Sequence, residues 1–86
     1  MSKDSLWFVY LLRCVDGSLY TGITNDLTRR CYQHSAGTAS RYTRSRLPVA
    51  LVYQEPHESR SLALRRELAI KRMKRPEKES LVRKAG

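Results

Sequence analysis

The sequence predicts an α/β fold: a small, mainly antiparallel sheet with helices packed against it, in the order ββαβαα. Three observations lead there. An apolar run over residues 7 to 14, WFVYLLRC, is broken at Asp16-Gly17 and resumes at Leu19, the pattern of strand, tight turn and strand. After Pro48 comes a short β-rich run, Val49-Ala50-Leu51-Val52-Tyr53. From Glu58 the apolar spacing becomes helical, carried by Leu62, Leu64, Leu68, Ala69, Ile70 and Met73.

Each element has its own reason. Residues 7 to 14 are almost wholly apolar, which suits a strand buried on both faces or central in the sheet. Val15-Asp16-Gly17-Ser18 makes the turn, because Gly accepts the positive φ that tight hairpins need. The length of this turn decides what the two strands can do together. A two-residue loop at Asp16-Gly17 places Tyr10 and Tyr20 on opposite faces. A three-residue loop over Val15 to Gly17, with Gly17 in the bulge, sets Tyr10 opposite Gly22 and diagonal to Tyr20, with both phenols on one face. Only the second geometry builds a shared site.

Asn25 or Asp26 caps the next helix by accepting its free N–H groups. Along it, Leu27, Arg30, Cys31 and His34 fall on one stripe. Two polar residues on the stripe that should face the sheet conflict with simple binary patterning, and such conflicts tend to mark functional sites. Gly37 ends this helix. Residues 38 to 46, TASRYTRSR, lack a period and read as a loop carrying Arg41, Tyr42, Arg44 and Arg46. The run Val49 to Tyr53 should pair with the first two strands, and the helix after Glu58 should lay its leucines over one broad side. Pro76 breaks that helix and suits the first turn of a last one, where Glu77 and Glu79 favour the positive end of the dipole.

Eighty-six residues make one domain, 1–86, with a modest core. A hydrophobic content of 41% argues against disorder. No apolar run approaches the ~20 residues needed to span a bilayer. Met1 to Asp4 is polar, so no leader is expected and the protein reads as cytoplasmic. Cys14 and Cys31 lack metal-ligand spacing and read as small core hydrophobes. Seventeen Lys and Arg against eight Asp and Glu leave a net charge of +9, a field that draws polyanions. Nucleic acid comes before membrane as the partner, because no stretch combines a basic face with a wide apolar one. No small-molecule ligand is expected.

Tyr10, Tyr20, Arg30, His34 and Glu67 are the candidate catalytic residues. Each has an ordinary explanation alone. Tyrosine packs well in strands, Arg30 can lay its stem along the stripe, His34 can be a satisfied helix histidine, and Glu67 can pair with Lys71 one turn on. The spacing argues for more: two tyrosines ten apart, an arginine ten further, a histidine four beyond, then a helical carboxylate. Together they fit phosphodiester hydrolysis. Glu67 would hold a single divalent cation as Lewis acid on the phosphate and leaving group. Arg30 would clamp phosphate oxygens with its planar fork, and a phenol or the His34 imidazole would serve as general base. Arg30 and the metal would lower a tyrosine pKa by favouring phenolate. Arg41, Tyr42, Arg44, Arg46 and Lys71 are the candidate nucleic-acid contacts, cations for phosphates and an aromatic for a base.

Phe8-Val9-Tyr10, Tyr20-Thr21-Gly22, Arg30, His34 and the Glu67-x-x-Ile70-Lys71 pattern resemble the GIY-YIG nuclease motif. The resemblance covers nearly the whole chain, with the motif core at 7–75. It looks most similar to the small stand-alone GIY-YIG proteins of bacteria and more distantly to the N-terminal nuclease domain of the excision-repair protein UvrC. It implies a three-stranded antiparallel sheet with helices around it, and DNA strand cleavage with one Mg²⁺ or Mn²⁺ ion, in repair or processing. It makes Tyr10 and Tyr20 the motif tyrosines, Arg30 the arginine, His34 the helix-borne base position and Glu67 the metal ligand. Gly22 and Asn25 match the turn and helix-start positions. Phe-Val-Tyr stands where the family reads Gly-Ile-Tyr. No Asn follows Asn25, although many active members use an asparagine downstream of the glutamate. Two functions are chiefly consistent with these residues: a DNA nuclease using this site, or a nucleic-acid-binding module that keeps the fold without catalysis. A third and weaker reading is a protein-interaction domain, for which the +9 charge would be incidental.

Overall fold

The computed structural model describes residues 6–85. Its elements are strands β1 (Trp7–Arg13) and β2 (Leu19–Thr24), helices α1 (Leu27–Ser35) and α2 (Arg41–Arg44), strand β3 (Ala50–His57), and helices α3 (Arg60–Lys71) and α4 (Arg75–Ala85). β1 is the middle strand of a three-stranded antiparallel sheet, order β2-β1-β3, which is why Val9 to Leu12 are buried without a break. The hairpin closes in its three-residue form. The Gly17 N–H donates to the Cys14 carbonyl at 2.9 Å, the Cys14 N–H donates to the Ser18 carbonyl at 2.9 Å, and Gly17 sits at φ 85°. Tyr10 therefore stands opposite Gly22, and Leu12 opposite Tyr20.

Alternation along β1 sends Val9 and Leu11 to one face and Tyr10 and Leu12 to the other. The Val9–Leu11 face carries the apolar core. Ala63 and Ile70 of α3 close over it, with Ile23, Tyr53, Met73, Leu81 and Val82 packed around. Val9, Leu11 and Ile70 are wholly removed from water, each contributing roughly 1.5–3 kcal/mol. The leucines of α3, expected on its buried side, are not part of this core: Leu62, Leu64 and Leu68 stay 41%, 37% and 50% exposed. The stripe that meets the sheet runs instead through Ala63, Arg66, Glu67 and Ile70, where the small Ala63 lets the helix come close.

The last helix is fastened to the first hairpin. Arg13 grips Glu79 with both guanidinium nitrogens, at 2.5 and 2.8 Å, and Arg75 donates to the Gly17 carbonyl at 2.7 Å. Pro76 lies in the first turn of α4, and Glu77 accepts from the Lys74 N–H at 2.8 Å, reaching back as a cap.

Two boundaries differ from the sequence reading. Residues 38 to 46 are not a plain loop, because Ser40 caps one helical turn, α2, its hydroxyl accepting from the Thr43 N–H at 3.1 Å. The order is therefore ββααβαα. A single turn is too short to show a period. β3 runs past Tyr53 to His57 and includes Pro56. It is an edge strand, where a missing N–H on the outer side breaks no ladder. Cys14 is buried and Cys31 half-buried, both as thiols. No helix among the described residues is long and apolar enough to cross a membrane.

Candidate functional site

The second face of the sheet is polar at its centre. Tyr10 comes from β1 and Tyr20 from β2, with ring centroids 6.5 Å apart. Gly22 makes room for this pair: the Tyr10 ring lies across it, and a Cβ there would stand 2.5 Å from the phenol oxygen. Tyr10 is 1% exposed, whereas Tyr20 is half-buried, so Tyr20 is the phenol that solvent reaches.

α1 carries His34 over the two rings. Of the two cap candidates the structure uses Asp26, whose carboxylate accepts from the Arg29 N–H at 3.1 Å, while Asn25 lies exposed beside it. The imidazole is fully buried, edge-on to Tyr20 at 5.1 Å and to Tyr10 at 5.8 Å. Its Nε2 is 2.9 Å from the Tyr10 hydroxyl and its Nδ1 is 2.8 Å from Thr43 Oγ1. Burial, joined by the positive charge of Arg30, holds His34 below the ordinary histidine pKa, so the ring is neutral at pH 7.

Arg30, half-buried on the same helix, donates to Gln33 at 3.1 Å. Arg30 acts on Tyr10 in the expected direction, favouring phenolate, but it does not prevail there. Burial is the larger effect and pushes Tyr10 up to about 12, against the hydrogen bonding and charge of Arg30.

Glu67 comes from the other layer. α3 packs on β1 and β2 from the Val9–Leu11 side, and the Glu67 carboxylate pairs with the Lys71 ammonium at 3.3 Å. The structure thus gathers Tyr10, Tyr20, Arg30 and His34, while Glu67 reaches none of them by hydrogen bond or ion pair among the described residues. β2, the strand that carries Tyr20, lies at an edge of the sheet. Where β2 runs into α1, a cleft of about 490 Å³ opens between Thr24, Asn25, Asp26, Arg29, Arg30 and Gln33.

The basic segment after α1 is used internally more than its composition suggests. Tyr42 stacks on Tyr20, centroids 5.9 Å apart at 30°. Arg46 lies 3.8 Å over the Tyr42 ring, donates to Asp16 at 3.1 Å and to the Tyr42 carbonyl at 3.0 Å. Tyr42, expected to meet a base, packs on Tyr20, and Arg46, expected to meet phosphate, lies over Tyr42. Arg41 and Arg44 stay exposed, and Lys71 is exposed at Glu67. The residue that spacing missed is Thr43, buried against His34. Its one signal was Ser40 three residues earlier, a cap pattern ahead of no visible helix.

A sheet of this order, with two tyrosines, an arginine and a histidine converging beside its hairpin, defines a GIY-YIG domain. The family model for the GIY-YIG catalytic domain matches residues 6–80, and the chain belongs to that family. Its relatives place it among the small proteins called UPF0213. It is 50% identical over 78 residues to a UPF0213 protein of Cupriavidus pinatubonensis, covering 91% of this chain and 87% of that one. To a UPF0213 protein of Halobacterium salinarum it is 48% identical over 73 residues, 85% of this chain and 95% of that one. The solution NMR structure of the UPF0213 protein BH0048 from Bacillus halodurans matches with a TM-score of 0.58 at 43% identity, over 90% of this chain and 82% of that chain. The protein EF2693 from E. faecalis matches with 0.63 at 37% identity, over 92% and 84%.

Proposed function

We propose that this protein is a metal-dependent nuclease that hydrolyses phosphodiester bonds in DNA, in repair or processing. The observation that supports it most is the convergence of Tyr10, Tyr20, His34 and Arg30 on one sheet face of a chain with net charge +9. A phosphodiester drawn in by the basic surface meets Arg30, whose guanidinium takes two phosphate oxygens at once. Tyr20, the half-exposed phenol, is placed to touch substrate, with Tyr10 and His34 behind it as a proton-accepting pair. Since Tyr10 keeps its proton up to about 12, no standing phenolate activates the water at neutral pH. Its proton must move through the Tyr10–His34 hydrogen bond as the water attacks.

Glu67 suits a single divalent ion. Mg²⁺ keeps several waters and is held through one or two carboxylates and the substrate phosphate, so no protein cage is needed. Among the described residues no group of three His, Cys, Asp or Glu forms one. The Lys71 side chain that pairs with Glu67 is 53% exposed and can swing away. Among the described residues the buried Thr21 hydroxyl, on the face that α3 covers, has no hydrogen-bond partner. Mg²⁺ or Mn²⁺ bound at Glu67 would supply Lewis-acid stabilisation of the phosphate and leaving oxygen.

The test is incubation with labelled single-stranded, duplex and branched DNA in Mg²⁺, Mn²⁺ or EDTA. Cleavage is expected with either metal and none with EDTA. Glu67→Gln should lower it by roughly 10²-fold or more while DNA binding survives, since the metal's charge stabilisation is worth several kcal/mol. Arg30→Ala should reduce both cleavage and binding. The Lys71–Glu67 pair favours one second reading, a nucleic-acid-binding module without catalysis. Salt-dependent binding with no nicking of any DNA by any divalent ion would establish that reading and sink the nuclease.

A further inference from the structure

The hydrogen-bonded chain through His34 has a direction, and counting donors reveals it. The Tyr10 hydroxyl is buried, and among the described residues its hydrogen-bond acceptor is His34 Nε2 at 2.9 Å. Arg30 beside it offers only donors. Were Nε2 to carry the imidazole proton, the phenol proton would have no acceptor in a buried place. With Nε2 bare, Nδ1–H donates to Thr43 Oγ1 at 2.8 Å, and the Thr43 hydroxyl has two oxygens to donate to, Ser40 Oγ at 3.1 Å and the Ser40 carbonyl at 3.4 Å. Every proton then has an acceptor. Thr43 is itself fully buried and is held by the Ser40 cap, whose Oγ accepts its N–H at 3.1 Å.

We infer that Thr43 is a positioning residue: it holds His34 in the Nδ1–H tautomer, so that Nε2 receives the Tyr10 proton and the Tyr10 oxygen turns its lone pairs toward Arg30 and the substrate. The tautomer stands on geometry alone, and its catalytic consequence rests on the nuclease reading. In hydrolysis, an attacking water that enters past Tyr20 with the substrate breaks its O–H bond, and the proton goes to the Tyr10 oxygen. The phenol's own proton passes to Nε2. The water oxygen bonds to phosphorus as the bond from phosphorus to the leaving oxygen breaks, and that oxygen takes a proton from solvent. The imidazolium so formed keeps Nδ1–H on Thr43 and donates Nε2–H back to Tyr10, so both its donors stay satisfied. No phenolate accumulates at any stage.

Long-range ¹H–¹⁵N NMR of the imidazole nitrogens in the full 86-residue chain reads the tautomer directly. Wild type should show His34 protonated at Nδ1 and bare at Nε2. Thr43→Val, nearly isosteric but without the oxygen, should shift the ring toward Nε2–H and lower kcat about 10- to 100-fold with KM within about twofold, a wrong-tautomer effect. Thr43→Ser should restore both. A wild-type ring protonated at Nε2 would overturn the inference, as would ring-nitrogen shifts unchanged in Thr43→Val. Should that variant lose its dispersed amide spectrum, the wild-type tautomer and the Thr43→Ser comparison decide. If wild type cleaves no DNA, the nuclease reading falls while the tautomer is still read.

Discussion

The two faces of β1 achieve burial by different means. On one, Val9 and Leu11 meet Ala63 and Ile70, and other apolar side chains of matching volume would serve nearly as well. On the other, Tyr10 is buried with His34 and Thr43, and the contacts between them are hydrogen bonds of 2.8 and 2.9 Å. The first face is held by area removed from water, the second by matched donors and acceptors whose loss would strand a buried polar group. Adjacent residues of one strand are thus held by different forces, Leu11 by apolar packing and Tyr10 by a buried hydrogen bond.

The separation can be broken from either side. Leu11→Ala should have the largest effect on stability, about 2–5 kcal/mol, read as a lowered urea midpoint with the His34 ring signals unchanged. Altered His34 signals in the still-folded variant would show that the faces are coupled. Gly22→Ala attacks the polar face. The new methyl meets the Tyr10 ring and hydroxyl from 2.5 Å, not a flexible tip, so Tyr10 must move. The expected destabilisation is about 1–3 kcal/mol, with the Tyr10–His34 hydrogen bond and DNA cleavage lost together. Wild-type cleavage by this variant would mean that Tyr10 need not be where it is.

A smaller effect separates the faces by pH. The folded-state pKa of His34 lies below its unfolded value near ~6.5, so the unfolded chain takes up a proton first as pH falls. The stability that depends on neutral His34 is complete above pH ~6.5 and is lost from there down to the lowered folded pKa, at up to ~1.4 kcal/mol per pH unit. His34→Gln should flatten that part of the urea-midpoint profile, and an unchanged slope would assign the titration to another group. The least disturbance to the fold comes from replacing Arg41 and Arg44 together with alanine, within about 0.5 kcal/mol of wild type. The salt slope of DNA binding should nonetheless fall by about one to two units. If it does not, the contact surface lies on α3 and α4, where Arg65, Lys71, Arg83 and Lys84 are exposed.

Most of the fold was legible because its signals are local: the Asp16-Gly17 turn, the Pro48 boundary, the change of period after Glu58, and Pro76. The hairpin register was one of two readings until pairing of Tyr10 with Gly22 selected the three-residue loop. The α3 leucines misled because spacing reports a face, while Ala63 and the polar flank of Arg66 and Glu67 decide which face docks. At the site, Tyr10, Tyr20, Arg30 and His34 could be picked out by their positions on strands and stripe. Thr43 could not, because its partner is nine residues away across a turn with no period of its own. Nor could the engagement of Tyr42 by Tyr20 and Arg46, since a loop composition shows charge and aromaticity but not what they already touch.

Pro56 has a bearing on how copies of this chain behave toward one another. Pairing with β1 continues on both sides of it, from Glu55 opposite Val9 to His57 opposite Trp7. The position without an N–H therefore faces outward along the border of the sheet. A neighbouring strand seeking to extend the sheet there would find a donor missing in the middle of its row, a common safeguard against sheets zipping together. The net charge of +9 adds mutual repulsion in dilute salt. The β3 border is thus made a poor place for a second copy to add a strand, while the charge that keeps copies apart draws a polyanion.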